Sequence, residues 1–303
     1  MHLPKQDEFD AARFLEDIER TCAIIHAPYS ESHTRASLEA FATSFQRGAV
    51  LWRTTNRPGD ALNYRFYERR VTDTVAAAVK AGLLAADHPL GALVTAWSRL
   101  YDGTPEQSCD FDAQRGLAKA WVYLGEMRPI DDILAVEPVP ESIRRHGPVF
   151  HSLGLERVRH VAADYTSHTV NIYFRAPGPL KLEQADRYVQ LAHPAGALEP
   201  DEVEQMRLSM NPQGFTFAVT MDYGTGDIKR VAFYALKLEL ARCLHIDPRL
   251  DRFFTGTPSY DEETMNAIAW SFGNHGSRYI KAERSYCGQL VPLLRDWNSA
   301  MSS

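Results

Sequence analysis

The sequence predicts an α/β fold: a ten-stranded antiparallel β-barrel with a solvent-accessible lumen, surrounded by α-helices and built from five ααββ repeats. Three observations predict it. Hairpin signals recur roughly every 50 to 60 residues, each after helical patterns. Strands paired in tandem would leave two long exposed edges unless the sheet closed on itself. The second strand of each hairpin alternates a polar and aromatic set with an aliphatic set, as a sheet with two different faces requires.

The elements follow in order. Phe9 to His26 and Ser32 to Arg47 carry Phe14, Ile18, Leu38, Phe41 and Phe45 at helical spacing. Val50 to Thr55 and Leu62 to Arg70 alternate in period two around the turn cluster Asn56-Arg57-Pro58-Gly59-Asp60 and form the first hairpin. Helices over Thr72 to Leu84 and Leu90 to Leu100 precede strands over Gln107 to Phe111 and Gly116 to Leu124. Helical pieces near Asp131 and Ile143 precede Arg157 to Ala163 and Thr169 to Phe174. Leu182 to Leu191 and Asp201 to Leu208 precede Phe215 to Asp222 and Ile228 to Leu236, turned at Tyr223-Gly224-Thr225-Gly226-Asp227. The last unit runs from Arg249 through Ile268–Phe272 and Tyr279–Glu283, joined at Gly273-Asn274-His275-Gly276-Ser277, and a helix over Gly288 to Trp297 closes the chain. Pro138–Pro140 and Pro177-Gly178-Pro179 read as connectors, so residues 1–303 are expected to form a single domain.

Composition narrows the function. At 45% hydrophobic and 24% charged over 303 residues, the chain can bury a large core. No apolar stretch approaches the roughly 18 residues needed to cross a bilayer, and Met1 to Asp10 lack a basic start followed by an apolar run, so a cytoplasmic protein is expected. Cys22, Cys109, Cys243 and Cys287 lie too far apart for a zinc or redox motif and are expected as reduced structural thiols. A net charge of -6 gives no reason to expect nucleic acid, so any anion site must be local. We expect no membrane partner and a monomer.

One parity face of the second strands carries Asn63, Arg65, Tyr67 and Arg69; Lys119, Trp121 and Tyr123; Asn171 and Tyr173; Arg230 and Tyr234; and Tyr279, Lys281 and Glu283. The opposite face carries Ala118, Ala120 and Val122; Val170, Ile172 and Phe174; and Val231, Phe233 and Ala235. In a barrel wrapped by helices the aliphatic set packs outward, which turns the basic and aromatic set into the lumen. Burying so many cations without partners would cost several kcal/mol each, so the lumen is expected to hold water and a polyanion, with a diphosphate the natural candidate.

The segments LWRTTNRPGDALNYRFYER, QSCDFDAQRGLAKAWVYLG, VNIYFR, TGDIKRVAFYALK and NAIAWSFGNHGSRYIKAERSY resemble the bacterial ABBA (PT-barrel) aromatic prenyltransferases over nearly the whole chain. The likeness is strongest to the aminocoumarin branch (clorobiocin and novobiocin) acting on 4-hydroxyphenylpyruvate, whose relatives include phenazine prenyltransferases. The resemblance implies dimethylallyl diphosphate in the barrel, held by Arg53, Arg65, Lys119, Asn171, Tyr173, Arg230, Tyr234 and Lys281. Asn63 and Arg65 stand where metal-dependent members carry aspartate and serine, and an arginine there can neutralise the diphosphate directly. No DDxxD pattern is present; Asp131-Asp132 is a partial match expected on a helix surface. Turnover without metal or other cofactor is therefore expected. Ala218 stands where the metal-dependent branch has a tyrosine, leaving neighbouring aromatics to enclose the prenyl chain.

The chemistry expected is electrophilic aromatic substitution on a carbon of an electron-rich acceptor. Lys and Arg donors, Arg65 and Lys281 foremost, stabilise the leaving diphosphate. Trp121, Tyr173 and Tyr234 shield the allyl cation from water with their ring faces. Glu283 either takes a proton or orients an acceptor OH or NH, unless it is merely paired with Lys281 or Arg284. Arg159, at a family position near the acceptor, has a fork suited to a carboxylate, so the acceptor is expected to be an aromatic acid such as 4-hydroxyphenylpyruvate or a dihydrophenazine carboxylate. Phe66 and Phe217 are weaker candidates for the acceptor pocket. His160 and His168 are expected at the surface or with satisfied partners, since no third ligand accompanies them. Two alternatives stay open: a non-catalytic barrel carrying an anionic small molecule, and a phosphatase or nucleotide enzyme, against which the lack of a P-loop, a carboxylate cluster and GxGxxG argues.

Overall fold

A computed structural model describes residues 8–101 and 106–302. Ten strands close into one antiparallel barrel: β1 (Ala49–Thr55), β2 (Asn63–Tyr67), β3 (Glu106–Asp112), β4 (Gly116–Pro129), β5 (Arg157–Asp164), β6 (Thr169–Pro177), β7 (Gly214–Asp222), β8 (Ile228–Leu236), β9 (Asn266–Gly273) and β10 (Arg278–Cys287). Each strand pairs with its neighbours in sequence, and β10 pairs back on β1, so no edge is left open. Helices lie between successive hairpins, five units in all.

Local chemistry starts several helices where they were expected. Asp10, Ser30 and Asp73 accept hydrogen bonds from Arg13, His33 and Ala76 backbone N–H groups, satisfying donors that a helix start leaves free. The expected second helix is two, Glu31–Ala40 and Ala42–Arg47, broken at Phe41, whose φ of -121° is not helical. At the β7–β8 turn Gly226 takes φ +75°, and a Cβ there would lie 2.0 Å from the Ser142 carbonyl oxygen, so only glycine fits.

The aliphatic parity set packs outward as the patterning requires: Ala120, Val122, Val170, Ile172, Phe174, Val231, Phe233 and Ala235 are buried in the layer between sheet and helices. Phe66 and Phe217 belong to that layer too, which corrects their expected place in an acceptor pocket. Phe66 meets Phe41 at 5.5 Å and Phe45 at 5.2 Å, while Phe217 meets Tyr188 at 4.5 Å and Phe233 at 5.0 Å. The cause is the period of the strand: Phe66 lies between inward Arg65 and Tyr67, so it must point out. Burying each ring against a helix contributes about 2 to 3 kcal/mol.

The hairpin turns ring one end of the barrel. The other end is plugged by the helix Leu290–Asp296 and the tail behind it, packed on Ala49, Leu51, Tyr67, Tyr123 and Ala267. Trp297 stacks on Tyr123 at 4.2 Å, and Ser302 N–H donates to the Leu236 carbonyl at 2.8 Å. Arg69 departs from its parity set: β2 ends at Tyr67, and the exposed Arg69 guanidinium donates to the Gly288 and Gln289 carbonyls. All four cysteines are buried, and none forms a disulfide among the described residues.

Candidate active site

The lumen divides into two chambers. At the turn-ringed mouth lies a cavity of about 590 Å³ lined by Arg53, Lys119, Arg230, Lys281, Tyr279 and Asn63, among others. The four cations come from β1, β4, β8 and β10, so they converge from around the wall. Burial pushes the Lys119 ammonium down to about 8, opposed by Asp164 at 3.6 Å. Burial, then Arg230, Arg53 and Lys119, push Lys281 well below the ordinary lysine range. Ammonium groups held this low by burial gain from an arriving polyanion. Buried donors wait there as well: Asn171 Nδ2 and Arg230 Nε have no hydrogen-bond partner, although Thr220 Oγ1 donates to Asn171 Oδ1 at 2.7 Å and accepts from Arg230 Nη2 at 3.1 Å.

Deeper in, Trp121, Tyr173 and Tyr234 form an aromatic cage facing a wall of small residues, Ala162, Ala218, Ala232 and Ala269. Trp121 and Tyr173 lie 4.4 Å apart and Tyr173 and Tyr234 6.0 Å apart. Ala218 sits directly across from Tyr173 in the β6–β7 register, and its small side chain leaves the space that the cage surrounds. Mouth and cage adjoin: Lys281 Nζ donates to Tyr234 Oη at 3.2 Å, and Lys119 Nζ stands 5.7 Å from the Trp121 ring. Burial raises the phenols of Tyr173 and Tyr234, so they stay protonated.

Below the cage a narrow chamber is lined by Arg65, Tyr67, Trp121, Arg159, His160 and Glu283, among others. Arg65 therefore departs from its expected place on the diphosphate: it lines this chamber, not the mouth. The cause is Asp110, a carboxylate on β3 that sequence reasoning passed over. Arg65 Nε donates to Asp110 Oδ1 and Nη2 to Oδ2 at 3.1 Å, while Nη1 donates to Tyr67 Oη at 2.6 Å. The guanidinium lies 4.0 Å from the centre of the Trp121 ring, and Glu283 Oε1 is 3.8 Å from Nη2. Asp110 also faces Arg53 at 3.7 Å; burial alone would raise its carboxyl, but Arg65 and Arg53 more than offset that and hold it at about 2. The parity rule that singled out second strands applied equally to β3, where Ser108 and Asp110 alternate with outward Cys109 and Phe111.

Glu283 sits opposite β5, five strands away around the ten-stranded ring. Its close cation is Arg65; Arg284 points elsewhere, donating to the Thr257 carbonyl and Asn266. On β5, Arg159 Nη2 donates to the Asn298 carbonyl at 2.7 Å, tying the chamber to the plug. His160 is the second correction. It lines this chamber and not the surface, its Nε2 buried without a partner. His168 lies in the β5–β6 turn, stacked on His88 at 5.4 Å, and Asp131 is exposed on its helix, accepting from His151.

Of the expected diphosphate ligands, Arg53, Lys119, Arg230 and Lys281 line the mouth, Asn171 reaches it through Thr220, and Arg65, Tyr173 and Tyr234 line the inner chamber. No helix among the described residues is long and apolar enough to cross a membrane.

Comparison with known proteins shows the family and the fold. The family model described as aromatic prenyltransferase Orf2 matches residues 9–298. An aromatic prenyltransferase of Sclerotinia sclerotiorum is 53% identical over 99% of this chain and 98% of its own. The 4-hydroxyphenylpyruvate 3-dimethylallyltransferase of Streptomyces niveus is 44% identical over 98% of this chain and 91% of its own. Among solved structures, 5-dimethylallyltryptophan synthase of Streptomyces coelicolor shares the fold with a TM-score of 0.60 at 14% identity, covering 90% of this chain and 96% of that one. The likeness seen in the five sequence segments thus extends to fungal as well as bacterial proteins, and the chain belongs to the aromatic prenyltransferase Orf2 family, as an enzyme that transfers a prenyl group to an aromatic acceptor.

Proposed function

We propose that this enzyme moves the dimethylallyl group of dimethylallyl diphosphate onto a ring carbon of an aromatic acid, without a metal ion. The observation that carries the reading is the stacking of a mouth where Arg53, Lys119, Arg230 and Lys281 converge directly on an aromatic cage, joined by the Lys281–Tyr234 hydrogen bond. A diphosphate held by Arg53, Lys119, Arg230 and Lys281 lowers its five-carbon chain among Trp121, Tyr173 and Tyr234. As the C1–O bond breaks, its electron pair leaves with the diphosphate, and preorganised donors contribute about 3 kcal/mol each to that charge separation. The ring faces stabilise the allyl cation by about 0.5 to 2 kcal/mol apiece and keep water away. Neutralisation by the mouth itself removes the need for a metal, with Arg53 fixed by its 2.6 Å hydrogen bond to Asn63 in place of an aspartate.

The acceptor enters the inner chamber. Arg159 on one wall suits a carboxylate, and Glu283 on the opposite wall suits a phenolic OH or an NH, so a phenol acid such as 4-hydroxyphenylpyruvate spans them. Its ring π electrons attack C1. Four buried cysteines without a disulfide fit a reducing cytoplasm, where we place the enzyme as a monomer. Incubation with dimethylallyl diphosphate, a panel of aromatic acids and EDTA, read by mass spectrometry, tests the reading. A gain of one prenyl unit on a phenol acid is expected; activity that vanishes with EDTA, or no gain on any aromatic acid, overturns it.

A further inference from the structure

We propose that His160 is the catalytic base of the transfer, the group that takes the proton from the ring carbon once it carries the prenyl unit. The proposal rests on the reading that an aromatic ring enters the inner chamber.

Placement comes first. Val158 pairs with Phe174 and His160 with Tyr173, so β5 spends two steps where β6 spends one. Arg159 is the extra residue of a β-bulge, a device that re-aims side chains and is frequent beside active sites. Regular alternation would turn only one of two adjacent residues inward; the bulge lets Arg159 and His160 both line the chamber. A carboxylate on Arg159 would therefore bring the acceptor against the imidazole beside it.

Ring packing, not a hydrogen bond at Nε2, holds the imidazole in place. Nε2 is buried with no hydrogen-bond partner, whereas buried polar atoms in native folds nearly always have one. The imidazole meets Trp121 at 6.3 Å and Tyr173 at 6.5 Å, both near-perpendicular, so it abuts two walls of the cation cage. Tyr123 and Trp297 lie on its other side at 5.2 and 5.6 Å. Burial, then Arg159 and Arg65, hold it well below the ordinary histidine range, hence neutral. A neutral imidazole keeps a lone pair for a proton and does not repel the allyl cation next door. The carboxylates of the lumen are less free: Asp110 is bound by Arg65, and Glu283 faces the same guanidinium at 3.8 Å.

The step balances. The C–C bond to C1 forms from the ring π electrons, leaving an arenium ion whose sp³ carbon still carries hydrogen. The imidazole nitrogen takes that proton, the C–H electron pair restores the aromatic ring, and the imidazolium passes its proton to the departing diphosphate or to water. An arenium ion is so strong an acid that a weakly basic imidazole suffices.

The test uses His160→Gln and His160→Ala with an acceptor deuterated at the prenylated carbon. General-base loss lowers the rate by about 10²-fold or more. We expect that fall in kcat with little change in the KM of dimethylallyl diphosphate, a primary deuterium isotope effect that the wild type lacks, and partial rescue of His160→Ala by added imidazole. Continued hydrolysis of dimethylallyl diphosphate to the alcohol reports that the barrel and its ionisation step are intact. Wild-type kcat in the variants, or a fall with neither isotope effect nor imidazole rescue, overturns the assignment. Absence of prenylation by the wild-type enzyme on every aromatic acid would instead overturn the acceptor reading on which it rests.

Discussion

Replacing Asp110 with Asn removes the charge on which the inner chamber is organised. Asp110 is 1% exposed, accepts two hydrogen bonds from Arg65 and lies 3.7 Å from Arg53. Its carboxyl sits at about 2 against an ordinary value of 3.8. A carboxylate depressed in the folded state contributes stability above its unfolded value and loses it as pH falls toward the folded one. At about 1.4 kcal/mol per unit, the shift is worth about 2.5 kcal/mol at neutral pH. Orphaning one member of a buried pair costs about 3 to 5 kcal/mol, but Tyr67 Oη at 2.6 Å and Glu283 at 3.8 Å remain beside Arg65, which favours the low end. We expect Asp110→Asn to lose about 2 to 3 kcal/mol, or about 3 to 5 °C in Tm for a chain of this length. Urea denaturation followed by tryptophan fluorescence at pH 7 measures it. The deficit should hold down to about pH 4 and shrink below, as Asp110 of the unfolded wild-type chain begins to protonate. The double variant Arg65→Met, Asp110→Leu should regain most of the loss, because it leaves no charge unpaired. A single variant within about 0.5 kcal/mol of wild type, or a double variant no better than it, would refute the reasoning.

Further outcomes follow from the same geometry. Lys119→Met should lower kcat/KM for the prenyl donor about 10²-fold while raising stability by about 1 to 2 kcal/mol, since a lysine held near 8 opposes folding wherever it is protonated. That opposition is full below about pH 8 and fades toward its unfolded value of 10.5, so the stability gain measured by denaturation should vanish at high pH. Trp121→Leu should divert the allyl cation to water, lowering the ratio of prenylated product to dimethylallyl alcohol by roughly 3- to 30-fold in a chromatographic assay. Phe217→Ala should cost about 3 to 5 kcal/mol by calorimetry or denaturant yet leave kcat/KM per folded molecule within about twofold, because its ring packs outward on Tyr188 and Phe233.

Much of the barrel was legible because its cause is local. Period-two alternation, turn clusters and the 3.6-residue helical stripe are carried by neighbouring residues, and closure follows from the cost of open edges. The same alternation turns Lys119, Trp121, Asn171, Tyr173, Arg230, Tyr234, Lys281 and Glu283 inward from the sequence alone. Applied consistently, it also required Phe66 and Phe217 to face out, and it offered Asp110 on a first strand. Three matters could not be read that way. How far along the lumen each inward residue sits depends on strand tilt and register, which place Lys281 at the mouth and Arg65 in the interior. Which acid claims which base depends on strands distant in sequence: Asp110 on β3 draws Arg65 on β2 away from the mouth. The bulge at Arg159 breaks the very alternation on which the reading depends, so the place of His160 in the chamber is set only in the folded chain. One residue's conformation sets a strand's period, but depth, pairing and bulges are properties of strands held against one another, and only the closed sheet supplies the neighbours that decide them.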